Sequence, residues 1–177
     1  MSGITTNEPN NKNYLSPLGF RFQLSRTPKT NYFVQGVTLP TLSLGQLDLD
    51  NPFVKLPIPG TKLDFSPLTL TFLVNEDMEN YLEIYNWLNG LGFPESFQQY
   101  ASLAGDRPSL NAKSTDVYSD GTLLLMSSNH NANVKVVFKE MHPISLSDLS
   151  FDSTLTDVQY LSATVTFRYR IYTIEKL

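Results

Sequence analysis

Residues 161–172 have the sequence LSATVTFRYRIY, the longest alternation of apolar and polar side chains in the chain. Successive strand residues point to opposite faces of a sheet, so the pattern predicts a β-strand with one buried and one polar face. The residues of the apolar parity are Leu161, Ala163, Val165, Phe167, Tyr169 and Ile171. The other parity is polar but carries few acids or bases.

The same period of two recurs on both sides of this stretch. Residues 20–25 place Phe20, Phe22 and Leu24 on one face, and residues 68–74 alternate in the same way from Leu68 to Val74. A further strand is predicted at 32–37. Residues 134–138 are expected to pair with the apolar run 123–126 as a hairpin, with Asp120-Gly121 as the turn before that run.

One segment changes period and predicts an amphipathic helix from Asn75 to Leu88. Asn75 is a candidate cap, Glu76, Asp77 and Glu79 place negative charge at the start, and Gly90 is expected to end the helix. The apolar helix face is formed by Met78, Tyr81, Leu82, Tyr85 and Leu88, which follow a spacing of three and four.

These elements predict a mainly β (α+β) fold: an antiparallel β-sandwich or barrel with one flanking helix. Residues 14–177 are predicted to form a single domain, because about 100 to 200 residues make one core. Residues 1–13 are polar and are predicted to be a mobile tail. No period holds from 93 to 119, which is typical of a functional, partner-bound or disordered segment.

The stretch from Thr38 to Pro59 predicts an extended arm. Leu42 and Leu44 share one parity, Leu47 and Leu49 share the other, and the change at Gly45-Gln46 indicates a bulge or a tip. Pro40, Pro52, Pro57 and Pro59 favour edge or irregular chain. A surface hairpin fits this pattern, and so does an arm that contacts a partner through Leu42, Leu44, Leu47, Leu49 and Phe53.

Composition excludes several function classes. The 177-residue chain has no cysteine, which rules out disulfides and thiolate metal sites. Its net charge of −4 argues against a nucleic-acid-binding protein that holds its ligand through phosphate contacts. No apolar run approaches the ~18 residues of a membrane span, and the Asn-rich beginning does not resemble a signal peptide. Charged residues make up 17%, against the roughly 25% usual for soluble domains. This low fraction of charged residues is expected for a protein whose surface is covered by partner subunits, and equally for a neutral β-domain.

The search for catalytic chemistry finds no candidate. His130 and His142 lack further ligands at metal-binding spacing, no serine has a nucleophile-elbow context, and Gly90-Leu91-Gly92 follows a helix where a phosphate loop would precede one. The sequence therefore predicts no enzyme, no metal and no cofactor.

Two blocks of sequence resemble the tail tube proteins of contractile-tailed bacteriophages. The first begins at Pro59-Gly60, continues through the strand and acidic turn at 65–77 and ends at Tyr85-Asn86-Trp87-Leu88. The second comprises residues 142–152 and 160–169. The resemblance covers roughly residues 20 to 172.

The resemblance implies a virion structural protein whose hexameric rings stack into a tube for the passage of the genome, without specific DNA binding. Neighbouring subunits would join their sheets into one inner β-barrel, the arm would reach an adjacent subunit or ring, and the helix would lie away from the lumen. A lumen or inter-strand face is then expected from Thr164, Thr166, Arg168 and Arg170. Expected partners are the tail sheath and baseplate, with assembly in the host cytoplasm and no membrane.

The resemblance leaves the position in the tail open. Baseplate tube-initiators, tube terminators and the secreted ring-forming effector carriers of secretion systems share the fold, and the long segment 93–119 departs from the shortest tube proteins. The alternatives from a different class are a secreted ring-forming effector carrier of the same fold and a carbohydrate-binding β-domain.

Overall fold

A computed structural model describes residues 12–103, 117–154, 156 and 159–177 of the chain. Antiparallel strands dominate these residues. The elements in chain order are β1 (Phe20–Leu24), α1 (Pro28–Tyr32), β2 (Val34–Thr38), β3 (Leu42–Leu49), β4 (Leu56–Phe65), β5 (Leu68–Leu73), α2 (Glu79–Gly92), α3 (Phe97–Leu103), β6 (Ser119–Met126), β7 (Ala132–Leu146), β8 (Ser162–Arg168) and β9 (Ile171–Lys176).

The long strand β7 connects two four-stranded layers. Its first half pairs with β6 on one side and β9 on the other, and β1 pairs with β6, which gives the order β1-β6-β7-β9. Its second half pairs with β8, which continues into β5 and β2. The change of layer occurs near Glu140, which has a positive φ of 57°. The mainly β sandwich expected from the alternating pattern is therefore confirmed.

The core lies between the two layers and is closed by α2. One layer contributes the buried side chains of Leu70, Phe72, Val165 and Phe167, and the other contributes that of Phe138. The helix contributes further core residues, among them Ile84 and Trp87. The Trp87 indole N–H donates to the carbonyl oxygen of Val117 at 3.0 Å, and the Arg26 guanidinium lies 5.3 Å from the centre of the indole ring.

The prediction of a single helix was wrong, because the described residues also form α1 and α3. α1 includes the first residue of the strand predicted at 32–37, and its Pro28 supplies the fixed φ that a first helical turn favours. α3 lies inside the segment for which no period was found.

The predicted ends of the long helix were also wrong. α2 begins after Met78, which adopts a left-handed conformation, and Asn75 exchanges hydrogen bonds with Asn80 without acting as the cap. The helix continues past Gly90, which is buried beside Leu103 of α3, and ends at Gly92.

Three strand boundaries differ from the prediction. Asp120 and Gly121 do not form a turn but lie inside β6, where a register shift accommodates them. β7 extends beyond the predicted residues 134–138 at both ends and runs from Ala132 to Leu146. The alternation over 161–172 is divided between β8 and β9, because the chain turns at residues 169–170 from one layer to the other.

Part of the expected N-terminal tail, residues 1–11, lies outside the described residues. So does 104–116, the centre of the segment without a period.

Candidate assembly interface

The strands β3 and β4 form a two-stranded ribbon that pairs with no other described strand. It is inserted between β2 and β5 and projects from the two-layered sandwich, which we call the body. A hydrogen bond from the Ser66 N–H to the Thr41 carbonyl oxygen, at 3.1 Å, closes its base. Every residue of β3 is exposed, and so are most residues of β4. The extended arm predicted from Thr38 to Pro59 therefore exists, and its second strand continues to Phe65.

Each half of the ribbon has one apolar face. In the half near the body, Leu42 pairs with Phe65 and Leu44 pairs with Leu63. In the outer half, Leu47 pairs with Ile58 and Leu49 with Leu56, whereas Gln46 and Asp48 lie opposite prolines. Directly opposed strand residues share a face, so the leucines form cross-strand clusters and not isolated exposed side chains.

The predicted irregularity at Gly45-Gln46 is confirmed as a register shift between Leu44 and Gln46. Gly60 lies against the backbone of Gly45 at this point, and a Cβ atom on Gly60 would collide with the Gly45 carbonyl group. Only glycine permits two backbones to approach so closely. A Cβ atom on Gly45 would make only an ordinary van der Waals contact, with the Lys62 carbonyl oxygen at 3.9 Å.

A cluster of aromatic rings holds the base of the ribbon against the body. The ring of Phe65 lies 6.1 Å from that of Tyr169 and 5.6 Å from that of Tyr172, and both tyrosines contact Phe138. The Tyr169 hydroxyl donates to the Ser66 carbonyl oxygen at 2.7 Å. Burial, the largest cause, raises the pKa of Tyr169 to about 12. The ribbon therefore projects from a fixed base.

The structure exposes all five arm residues that the sequence singled out. Leu42, Leu44, Leu47 and Leu49 are 48% to 68% exposed, and Phe53 is 93% exposed between the two strands. Sequence reasoning missed their exposed partners on β4, which are Leu56, Ile58 and Leu63. The alternation of Leu56 and Ile58 with Pro57 and Pro59 indicates a strand with one apolar face. The two prolines obscure this pattern, because proline favours edge or irregular chain.

The buried face of α2 differs from the predicted apolar face. Asn80, Ile84, Trp87 and Gly90 are the buried residues of the helix. Of the predicted set, Tyr81 and Leu88 pack against the core with part of their surface exposed. Leu82 and Tyr85 are exposed, and Met78 precedes the helix.

Asn80 can be buried because both polar atoms of its side chain are hydrogen-bonded. Its amide N–H donates to the Leu73 carbonyl oxygen at 2.6 Å, and its side-chain oxygen accepts from the backbone N–H groups of Asn75 and Tyr81. A buried amide with these partners ties the end of β5 to the beginning of α2.

The four residues of the predicted lumen or inter-strand face do not share one strand. Thr164 and Thr166 lie on the outer face of β8, where the Thr164 hydroxyl is 3.4 Å from that of Thr71. Arg168 ends β8 and donates to the Phe65 carbonyl oxygen at 3.4 Å. Arg170 lies at the turn between β8 and β9 and forms an ion pair with Glu140 at 3.1 Å. Of these four residues, Arg168 therefore contacts the base of the ribbon, through Phe65 at the end of β4.

The titratable groups do not assemble into a reactive site. Burial is the largest cause that lowers the pKa of His142, whose ring centre lies 5.5 Å from that of Tyr118. Across the described ranges, no group of three His, Cys, Asp or Glu side chains is placed to hold a metal ion. Nor does any described helix have the length and apolar character needed to cross a membrane.

The sequence model of the phage tail tube protein family matches residues 4–175. The chain belongs to this family. No curated protein sequence matches it.

Solved structures share the fold of this tail tube protein at low sequence identity. The tube-terminating cap of the anti-feeding prophage has a TM-score of 0.64 and 15% identity, with 99% of this chain and 100% of that chain covered. A chain of the sheath–tube complex of the PVC extracellular contractile injection system has a TM-score of 0.62 and 14% identity, covering 94% of each. A chain of the PVC sheath/tube terminator has a TM-score of 0.61 and 16% identity, with 93% of this chain and 99% of that chain covered.

Proposed function

We propose that this chain is the tube subunit of a contractile phage tail, and that its copies form hexameric rings that stack into the DNA conduit. The observation that carries the proposal is the exposed ribbon. Its apolar side chains line both strands over their full length and are not covered by the described residues of their own chain.

The exposed ribbon is difficult to explain in a monomer. A two-stranded hairpin is at best marginally stable alone, and contiguous exposed apolar side chains usually mark an interaction surface. The aromatic base fixes the direction of the ribbon, so an extended interface is prepared before association. We infer that Leu42, Leu44, Leu47, Leu49 and Phe53 bury their side chains against an adjacent subunit or ring.

The charge of the protein is compatible with a conduit. With a net charge of −4, the chain offers DNA few phosphate-binding groups, and Arg168 and Arg170 are already engaged with Phe65 and Glu140. A tube that holds DNA tightly would hinder its passage, because each neutralised phosphate adds to binding.

We propose that the tail sheath and the baseplate are the other partners of the tube. Support comes from the PVC chain of the same fold, which was solved in a sheath–tube complex. The exposed side of α2, with Leu82 and Tyr85, is the surface that we assign to the outside of the tube. The virion is the proposed location, after assembly in the host cytoplasm.

Substitution of Leu44 by Asp tests the proposal. The purified wild-type protein is expected to form hexameric rings or hollow tubes under negative-stain microscopy. L44D is expected to keep the circular dichroism spectrum of the wild type but to remain monomeric by light scattering, because burying an unpaired carboxylate in an interface is costly.

The matched control is Gln46→Asp, which adds the same charge to the polar side of the ribbon and should leave assembly intact. A wild-type protein that stays monomeric at high concentration would contradict the proposal. Unfolding of L44D would instead assign Leu44 to the core of its own subunit.

A tube terminator is the second candidate, because the anti-feeding prophage chain that this protein matches over almost its full length forms a tube-terminating cap. A terminator would form single rings that bind tube ends and do not elongate. Microscopy of the purified protein separates the two functions, since only a tube subunit yields tubes of open-ended length.

A further inference from the structure

The corner of β7, residues 140–143, is where this strand passes from one layer to the other. Glu140 has a positive φ of 57°, a conformation that residues other than glycine rarely adopt. Its backbone N–H donates to the Asp120 side chain at 3.0 Å, and its carboxylate pairs with Arg170 at 3.1 Å. These bonds hold the corner in place, and His142 lies two residues beyond Glu140.

His142 belongs to a row of three side chains that crosses the sheet at this corner. Arg168 of β8 is its partner in the antiparallel register. Directly opposed residues share a face, with Cβ atoms about 4.5–5.5 Å apart. Tyr118 precedes β6, which pairs with the other edge of β7, and its ring centre lies 5.5 Å from that of His142. The imidazole therefore lies between an aromatic ring and a guanidinium group.

The Nδ1 atom of His142 is buried and has no hydrogen-bond partner among the described residues. A neutral imidazole tolerates such a site, because one of its two nitrogens carries no proton. A protonated imidazole carries N–H groups on both nitrogens, and a buried N–H without an acceptor costs free energy. The corner is therefore built for the neutral form of His142.

The charges around His142 also favour its neutral form. Burial is the largest cause that lowers its pKa, the backbone of Glu140 opposes this change, and the positive charge of Arg168 lowers the pKa further. The other charged groups of this region interact with different partners; these are Asp64, Asp120, Glu140 and Arg170.

Arg168 links His142 to the base of the ribbon. Its guanidinium donates to the Phe65 carbonyl oxygen at 3.4 Å, and the Tyr169 hydroxyl donates to the next carbonyl, that of Ser66, at 2.7 Å. Two consecutive residues at the end of β8 thus hold two consecutive residues at the end of β4. A displacement of Arg168 away from His142 would disturb both bonds.

We propose that His142 is an acid-sensitive latch for the ribbon: a protonated imidazole repels the opposed Arg168 and releases the base of the ribbon. Like charges directly opposed across a ladder are destabilising. The closed state disfavours the proton, whereas a state with the corner open takes it up near the ordinary pKa of 6.5. The latch is therefore closed above pH 6.5 and weakens as the pH falls below that value. This property belongs to the single chain and goes beyond the proposed assembly.

Amide hydrogen exchange of the dilute, unassembled full chain at about pH 7.5 and about pH 5 tests the latch. Labelling times are scaled for the intrinsic exchange rate at each pH. Exchange in β3 and β4 should become several-fold faster at the lower pH, because a hairpin released from its base is marginally stable. The increase is limited to about 30-fold, since pH 5 lies about 1.5 units below the ordinary pKa of histidine. Equal acceleration in β5 would show that acid loosens the whole body, and would overturn a latch that acts on the ribbon.

His142→Gln should abolish the acid effect, because glutamine is polar but has no titratable nitrogen. The matched control is His130→Asn, since the chain has two histidines and His130 is exposed in the turn before β7. Its positive φ of 59° suits asparagine, so this variant should respond to acid as the wild type does. An acid effect that survives in His142→Gln would overturn the proposal.

The wild type alone decides the question if circular dichroism shows that His142→Gln does not fold. Exchange in its ribbon should begin to accelerate as the pH falls below 6.5. Acceleration that begins only below about pH 4.5 would report carboxylates, which titrate near pH 4, and would overturn the latch. Because these measurements use unassembled protein, failure of the latch would leave the proposed tube function standing.

Discussion

The pair β5–β8 and the ribbon β3–β4 have similar sequences and opposite environments. Both are antiparallel, and both place Leu side chains at alternate positions. In β5, Leu68, Leu70 and Phe72 are at most 1% exposed, whereas Leu44 in the ribbon is 50% exposed.

The difference lies in what covers each pair. The apolar face of β5–β8 is covered by the second layer and by α2, whose Trp87 packs 6.1 Å from the ring of Phe167. The ribbon has no second layer among the described residues. Alternation in a sequence therefore specifies a face to be buried, but it does not specify whether the same chain or another copy buries it.

Substitution of Phe72 by Ala should have the largest effect on stability. It removes a fully buried ring between two layers, which typically lowers the free energy of unfolding by about 3–5 kcal/mol. Leu47→Ala in the ribbon should change the same quantity by less than about 0.5 kcal/mol, since surface substitutions usually have small effects. Denaturant unfolding of dilute, unassembled protein measures both.

The comparison would fail if Leu47→Ala destabilised the dilute protein as strongly as Phe72→Ala. Such a result would mean that the ribbon belongs to the core of its own subunit.

Gly60→Ala should disrupt the ribbon and leave the body folded. The new Cβ would lie 2.8 Å from the Gly45 carbonyl carbon, so the strands must separate at the bulge, at a cost of about 1–3 kcal/mol. Gly45→Ala is the matched control, because its Cβ would make only an ordinary contact, 3.9 Å from the Lys62 carbonyl oxygen. Amide hydrogen exchange should show faster exchange in β3 and β4 for Gly60→Ala alone, with unchanged protection in β5 and β8.

Equal effects of the two substitutions would show that the crossing of Gly45 and Gly60 does not set the register of the ribbon.

Much of the body could be predicted because alternation and turn chemistry act locally. The faces of β1, β5 and β8, the hairpin of β6 with β7 and the bulge at Gly45 all follow from period two and from where it changes. The ribbon leucines could be identified for the same reason. That these leucines are all exposed depends on the tertiary structure, which the local pattern does not specify.

The rest depended on competition between segments. α2 carries two overlapping apolar stripes, and the one with Ile84 and Trp87 is buried together with Asn80, which bonds to Leu73 at the end of β5 and to Asn75 just beyond it. The pattern alone ranks these stripes equally. β7 and the β8–β9 turn were misjudged because one alternating run can serve both layers when it bends.

Tyr169→Phe should have the smallest effect, and it tests how the base of the ribbon is held. The variant loses the hydrogen bond to Ser66 and keeps the ring contacts, which should lower the free energy of unfolding by about 1 kcal/mol at neutral pH.

The pH dependence of Tyr169 separates this contact from general packing. The pKa is raised from 10.0 to about 12 in the folded protein, so the folded state keeps the proton that the unfolded state has lost above pH 10. The contribution of Tyr169 is therefore fully present below pH 10 and is lost as the pH rises from 10 towards 12. Over that range the wild type should lose stability more steeply than Tyr169→Phe in thermal unfolding. Parallel curves for the two proteins would show that the tyrosine titrates normally and that the aromatic rings alone hold the ribbon.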